Sequence, residues 1–110
     1  MGETPTTEDG LQISLLDEEQ GFRSGDSVTL RILVTRQSKK GEKPVGGAAV
    51  SVKVLGTSFR PVIHSVKTER DGIATISAQI PQFTSGRAAI LVRATAGGLS
   101  TEVRRVVHPA

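Results

Sequence analysis

Cysteine, tryptophan and tyrosine are missing from this 110-residue chain, and reading along it finds no asparagine either. Without cysteine there is no disulfide, no thiol nucleophile and no thiolate metal site. Phe22, Phe59 and Phe83 are the only aromatic residues. The exposed Trp or Tyr platforms on which sugar rings stack, and the aromatics on which unpaired bases stack, therefore have no residues to build them. A chain without asparagine has no N-x-Ser/Thr acceptor for glycosylation and no partner for a Lys–Asn isopeptide crosslink. No apolar run approaches the roughly 20 residues of a membrane-spanning helix, so no membrane segment is expected. The opening "MGETPTTEDG" lacks a basic region followed by an apolar core and does not read as a signal peptide. Residues 1–9 read as a disordered leader or linker, too polar to offset the entropy of ordering. Residues 10–108 read as a single domain cut from something longer.

What is present suits a soluble globular domain: 36% hydrophobic and 23% charged residues in a chain long enough to bury a core without staples. The net charge of +3 conceals an uneven distribution. Residues 1–26 hold Glu3, Glu8, Asp9, Asp17, Glu18, Glu19 and Asp26 against Arg23 alone, a net of −6, and the remainder carries +9. Such a basic body attracts anionic surfaces. Its charges are spread over many segments, with only "SKKGEK" at 38–43 as a local cluster, so no nucleic-acid footprint stands out.

Period-2 alternation dominates, which predicts strands rather than helices. In "SVTLRILVT" Val28, Leu30, Ile32 and Val34 share one face; in "AAVSVKVL" Ala48, Val50, Val52 and Val54 do so. "ATISAQIP" places Ala74, Ile76, Ala78 and Ile80 together, and "RAAILVRAT" does the same for Ala88, Ile90, Val92 and Ala94. Weaker strands are expected over 11–16, 62–68 and 99–107, the last with a bulge or the end of pairing at the adjacent Val106 and Val107. Gly/Pro/Asp clusters separate these runs. About seven short antiparallel strands in ~100 residues predict an all-β sandwich. The small inward residues Ala48, Ala74, Ala78, Ala88 and Ala94 leave room for the Val, Leu and Ile of a facing sheet. "TERDGIATISAQIP" is expected to be a turn over 68–72 feeding a core strand, on the logic of a hairpin.

In this order, "FRSGDSVTLRILVT", "KPVGGAAVSVKVL", "VKTERDGIATISAQIP" and "TSGRAAILVRATAGG" resemble bacterial immunoglobulin-like repeat domains. The resemblance is to the invasin/intimin group and to early domains of macroglobulin-like proteins. The matching residues are Ser24-Gly25-Asp26, with Ser where Pro is usual, then Pro44-Val45, Gly47-Ala48 through Val52, Thr68, Gly72, Ala74 and Gly86. Carboxypeptidase regulatory-like, transthyretin-like domains share the Gly-Ala-x-Val and Thr-x-x-x-Gly pieces. The aromatic common after the Gly of the penultimate strand is absent from "GRAAILV". The resemblance implies an immunoglobulin-like antiparallel β-sandwich and a role as a spacer, adhesion or interaction module in an extracellular, cell-surface or periplasmic protein. The reactive thioester of macroglobulins needs Cys and belongs to another domain.

Catalysis needs a nucleophile with a base, paired carboxylates or a metal. The two histidines, His64 mid-strand and His108 beside Pro109, have no neighbours in the pattern to complete such a set, so no catalytic residue and no enzymatic activity are expected. His64 reads as an edge-strand residue. Asp17, Glu18 and Glu19 in one loop, with Asp26 and Asp71 in others, are the candidates for calcium, but the alternating spacing of an EF-hand loop is absent. No metal or cofactor site is assigned. Gly46-Gly47 and Gly97-Gly98 fit turn conformations rather than a phosphate cradle, since no helix follows them. Sheet edges over 62–68 and 99–107 are candidates for strand addition, and Arg104-Arg105 for meeting an acidic neighbour; Lys67 and Arg104 fit equally as charges that protect an edge. The expected function is a non-catalytic structural or interaction module, monomeric in isolation, whose partners are neighbouring domains of the same polypeptide or another protein. The alternatives are an accessory module binding calcium or carbohydrate beside an enzyme, and a binder of anionic polymers.

Overall fold

The alternation becomes two packed sheets in the computed structural model, which describes residues 10–16 and 21–109. The leader at 1–9 and the acidic Asp17-Glu18-Glu19 lie outside the described residues. Strand β1 (Leu11–Leu16), β3 (Ser27–Ser38), β4 (Gly41–Pro44) and β7 (Ile73–Gln79) form the first sheet. The second runs β2 (Phe22–Arg23), β9 (Leu99–His108), β8 (Ala88–Ala96), β5 (Ala49–Gly56) and β6 (Val62–Lys67). Pairing is antiparallel except that β2 joins β9 in parallel. With β1-β3-β7 facing β2-β9-β8-β5-β6, this is an immunoglobulin-like β-sandwich. All seven expected strands are present; the two further ones, β2 and β4, are two and four residues long.

The core lies where the alternation put it. Ile32, Val34, Val50, Val52, Val54, Ile80, Ile90 and Val92 are almost wholly buried, and the five inward alanines are buried between them. Phe59 and Phe83 close one end with tilted rings 5.6 Å apart. The second sheet is the wider one, and at its edge the inward Val62, His64 and Val66 of β6 are only half-buried.

Two expectations are sharpened or corrected. The register of β9 on β8 is uninterrupted from Leu99↔Ala96 to Val107↔Ala88, where this pairing ends, so of the two outcomes expected at Val106 and Val107 the end of pairing is the one observed and there is no bulge. The break in the pattern is Arg105, which takes the inward position between Val103 and Val107, half-buried, while its guanidinium donates to the Arg104 carbonyl at 2.9 Å. The 68–72 turn is real, but it joins no hairpin: β6 belongs to the second sheet and β7 to the first.

That turn is one of two stacked crossovers. The chain leaves the first sheet after β4 and enters β5, then returns from β6 to β7. Thr68, buried, ties the two together: its hydroxyl donates to the Val45 carbonyl (2.6 Å) and accepts from the Ala48 N–H (2.9 Å). Its backbone pairs with Gly47 and Ala48. At the far side of the sandwich, Ser24-Gly25-Asp26 links β2 to β3. Ser24 Oγ accepts from the Phe83 N–H at 2.6 Å, and the Gly25 N–H donates to the Pro81 carbonyl.

Candidate functional site

The charged turn at 69–72 uses its own groups. The Gly72 N–H donates to the Glu69 carbonyl (2.9 Å), and Asp71 Oδ1 accepts from the Ile73 N–H (3.0 Å), an Asx arrangement that sets the entry into β7. Removing that exposed bond by Asp71→Ala should cost about 0.5–1 kcal/mol, a loss of a few °C in a thermal melt, whereas Asp71→Asn, which keeps the acceptor, should cost less.

Of the calcium candidates only Asp26 and Asp71 are among the described residues, and these two do not converge. Asp26 precedes β3 and Asp71 precedes β7, and these strands pair from Ser27↔Gln79 to Leu33↔Ile73, so the two carboxylates sit at opposite ends of a ladder roughly 20 Å long. Among the described residues no group of three acidic or histidine side chains is placed to hold a cation. The histidines are also apart. His64 faces inward on β6, opposite Val52, with Nε2 buried and without a hydrogen-bond partner. His108 ends β9 near the other edge of the same sheet. Gly47, Gly97 and Gly98 are turn residues with positive φ, and the basic 38–43 cluster is the β3–β4 hairpin, turned by the Ser38 hydroxyl on Gly41 and Lys40. Among the described residues no strand pairs with the outer edge of β6, as expected; that of β9 is covered at Val107 and His108 by β2.

The contrast between the two outer faces is more informative. On the first sheet, Ser27 Oγ donates to Gln79 Oε1 (2.8 Å) and Thr29 meets Ser77 (3.5 Å), so this part of the face is a polar, uncharged ladder whose groups bond to one another. On the second sheet, the registers set outward residues in rows. Arg23 lies beside His108, and one step beyond Ala88↔Val107 the alternation adds Arg87. The next row is Val106, Ala89 and Leu55; then come Arg104, Leu91, Lys53 and Ile63; then Glu102, Arg93, Ser51 and Ser65; and last Ser100, Thr95, Ala49 and Lys67. This face gathers six cationic residues, Arg23, Lys53, Lys67, Arg87, Arg93 and Arg104, against Glu102, its one carboxylate among the described residues.

Apolar residues run between the charges. Val106 and Ile63 are the large hydrophobic residues most exposed, at 62% and 58%. Ala89 is buried although it points outward, because Leu55, Leu91, Arg87 and Arg104 stand around it. The result is a depression of about 360 Å³ with an apolar floor and cationic walls. A second, of about 400 Å³, lies over Ala49 and Ser51 between Lys67 and Arg93. Linear reading sees the cations as scattered because they come from five strands; only the register assembles them. The available signal is that Lys53, Leu91, Arg93 and Arg104 all occupy outward positions of their strands.

Among the described residues no hydroxyl, imidazole and carboxylate are brought together on this face, which presents mostly positive charge around shallow aliphatic relief. No family model matches the chain and no curated protein matches its sequence.

Proposed function

We propose that the chain is a non-catalytic interaction module of a larger exported or cell-surface protein, meeting neighbouring domains of the same polypeptide or another protein through the outer face of its five-stranded sheet. The observation that carries this reading is the pairing of exposed Val106 and Ile63 with six cations on one face of a rigid sheet. Exposed apolar relief rimmed by charge marks a contact surface, whereas scattered single hydrophobics do not. The resemblance of "KPVGGAAVSVKVL" and "VKTERDGIATISAQIP" to bacterial immunoglobulin-like repeats supports the same role, and the monomer is its expected state in isolation.

Thermal melts test the reading against an accessory module for calcium or carbohydrate. Calcium and a panel of oligosaccharides are expected to leave Tm within about 1 °C, because a ligand present at 100 times its Kd adds about 2.7 kcal/mol, which for a domain of this size is roughly 13 °C. A rise of that order with calcium or a sugar replaces the interaction module by the accessory one.

A further inference from the structure

We infer that the outer face of the five-stranded sheet docks an acidic, aliphatic segment of a partner protein, seating one aliphatic side chain over Ala89 with carboxylates against Arg87 and Arg104. This deepens the interaction-module reading and rests on it. Three observations converge on that occupant. The floor at Ala89 is recessed between Leu55 and Leu91, in a depression of about 360 Å³, which accepts a side chain rather than offering one. The walls are cationic, and the face holds one carboxylate among the described residues, so the complement is negative. Along β8 the outward order is Arg87, Ala89, Leu91, Arg93. Facing positions on an extended chain recur every ~6.8 Å, so a strand laid along β8 meets it in register when aliphatic residues lie between two carboxylates.

Other partners fit less of the face. A nucleic acid would use the cations but leave the apolar row unmatched, and the aromatics that stack on bases are spent inside: Phe22 and Phe83 are buried and Phe59 packs on Phe83. A lipid surface is entered by side chains that protrude, whereas the centre here is recessed. A second copy presenting the same face would set cation against cation.

The test is an amide chemical-shift titration of the full, isotope-labelled chain at low salt. Separate arms use a short capped peptide of the form Glu-Ser-Leu-Ser-Leu-Ser-Glu, which sets two Leu between two Glu on one face of an extended chain, its counterpart with Lys for Glu, heparin, and vesicles of anionic phospholipid. The acidic peptide is expected to shift Leu55, Ala89, Leu91 and Arg104 saturably, and the basic peptide to shift nothing. The double reversal Arg87→Glu with Arg104→Glu should weaken the acidic peptide at least about tenfold and admit the basic one. Ala89→Gln, which fills the depression at unchanged charge, should weaken the peptide as well, with a melt showing each variant folded. An acidic peptide that shifts nothing, or shifts the Ser27–Gln79 ladder instead, overturns the inference. So does a face that responds to heparin or to vesicles and not to the peptide. If the inference fails while calcium and sugars leave Tm unmoved, the chain remains a module acting as a spacer; a Tm raised by those ligands removes the module reading itself.

Discussion

Gly72→Ala should lower the melting temperature by about 15 °C or more, corresponding to roughly 3 kcal/mol. Two costs add. At φ +79° a Cβ crowds the following carbonyl, a penalty of about 1–2 kcal/mol. That Cβ would also stand 2.8 Å from the Val34 carbonyl oxygen and 2.8 Å from Pro44 Cβ, so backbone must move, and overpacking of this kind costs about 1–3 kcal/mol. Val34 is where β4 and β7 meet on one side of β3: its N–H donates to the Gly72 carbonyl (2.8 Å) and its carbonyl accepts from the Val45 N–H (2.9 Å). A shift at Gly72 therefore loosens both crossovers at once. Gly98→Ala is the control, because φ is +80° there but nothing lies within 4 Å of the added carbon. It should cost only the conformational part, about 1–2 kcal/mol. Equal losses for the two variants would contradict the close approach.

Thr68→Val should cost about 2 kcal/mol, near 10 °C in Tm, although it keeps the shape of the side chain. The hydroxyl both donates to Val45 and accepts from Ala48 inside the sandwich. Valine leaves the Ala48 N–H and one bond to the Val45 carbonyl without that partner, and an unmet buried donor is more expensive than a lost exposed bond. Thr68→Ser keeps both bonds and should lose only the methyl contact, about 1 kcal/mol. Hydrogen exchange gives a local reading of the same effect: the Ala48 amide should exchange faster in Thr68→Val and stay protected in Thr68→Ser.

The strands were legible because alternation is a local property with a period of two, and the inward alanines because small residues recur on the apolar side of each run. All five are buried. Local turn chemistry was legible too, since Asp71 and Gly72 do form the predicted bend. What β7 pairs with was not, because its partner β3 is about forty to fifty residues earlier and nothing near Gly72 specifies a sheet. Arg105 misled for a different reason. Counting arginine as outward puts the break at Val106 and Val107, whereas a long aliphatic stem lets arginine hold an inward place near a sheet end. β2 and β4 are too short to show any period. The basic face depends on registers linking five strands, so its residues appear in sequence as isolated charges.

In the proposed division of labour the 68–72 turn joins the two sheets and the outer face of the five-stranded sheet makes contact. Amide shifts of the wild-type chain under the acidic peptide test it most directly. The predicted map follows Leu55, Ala89, Leu91 and Arg104 and leaves Glu69 to Gly72 still. A map centred on Glu69, Arg70 and Asp71, with β5, β8 and β9 unmoved, would contradict it and make the charged turn the binding site.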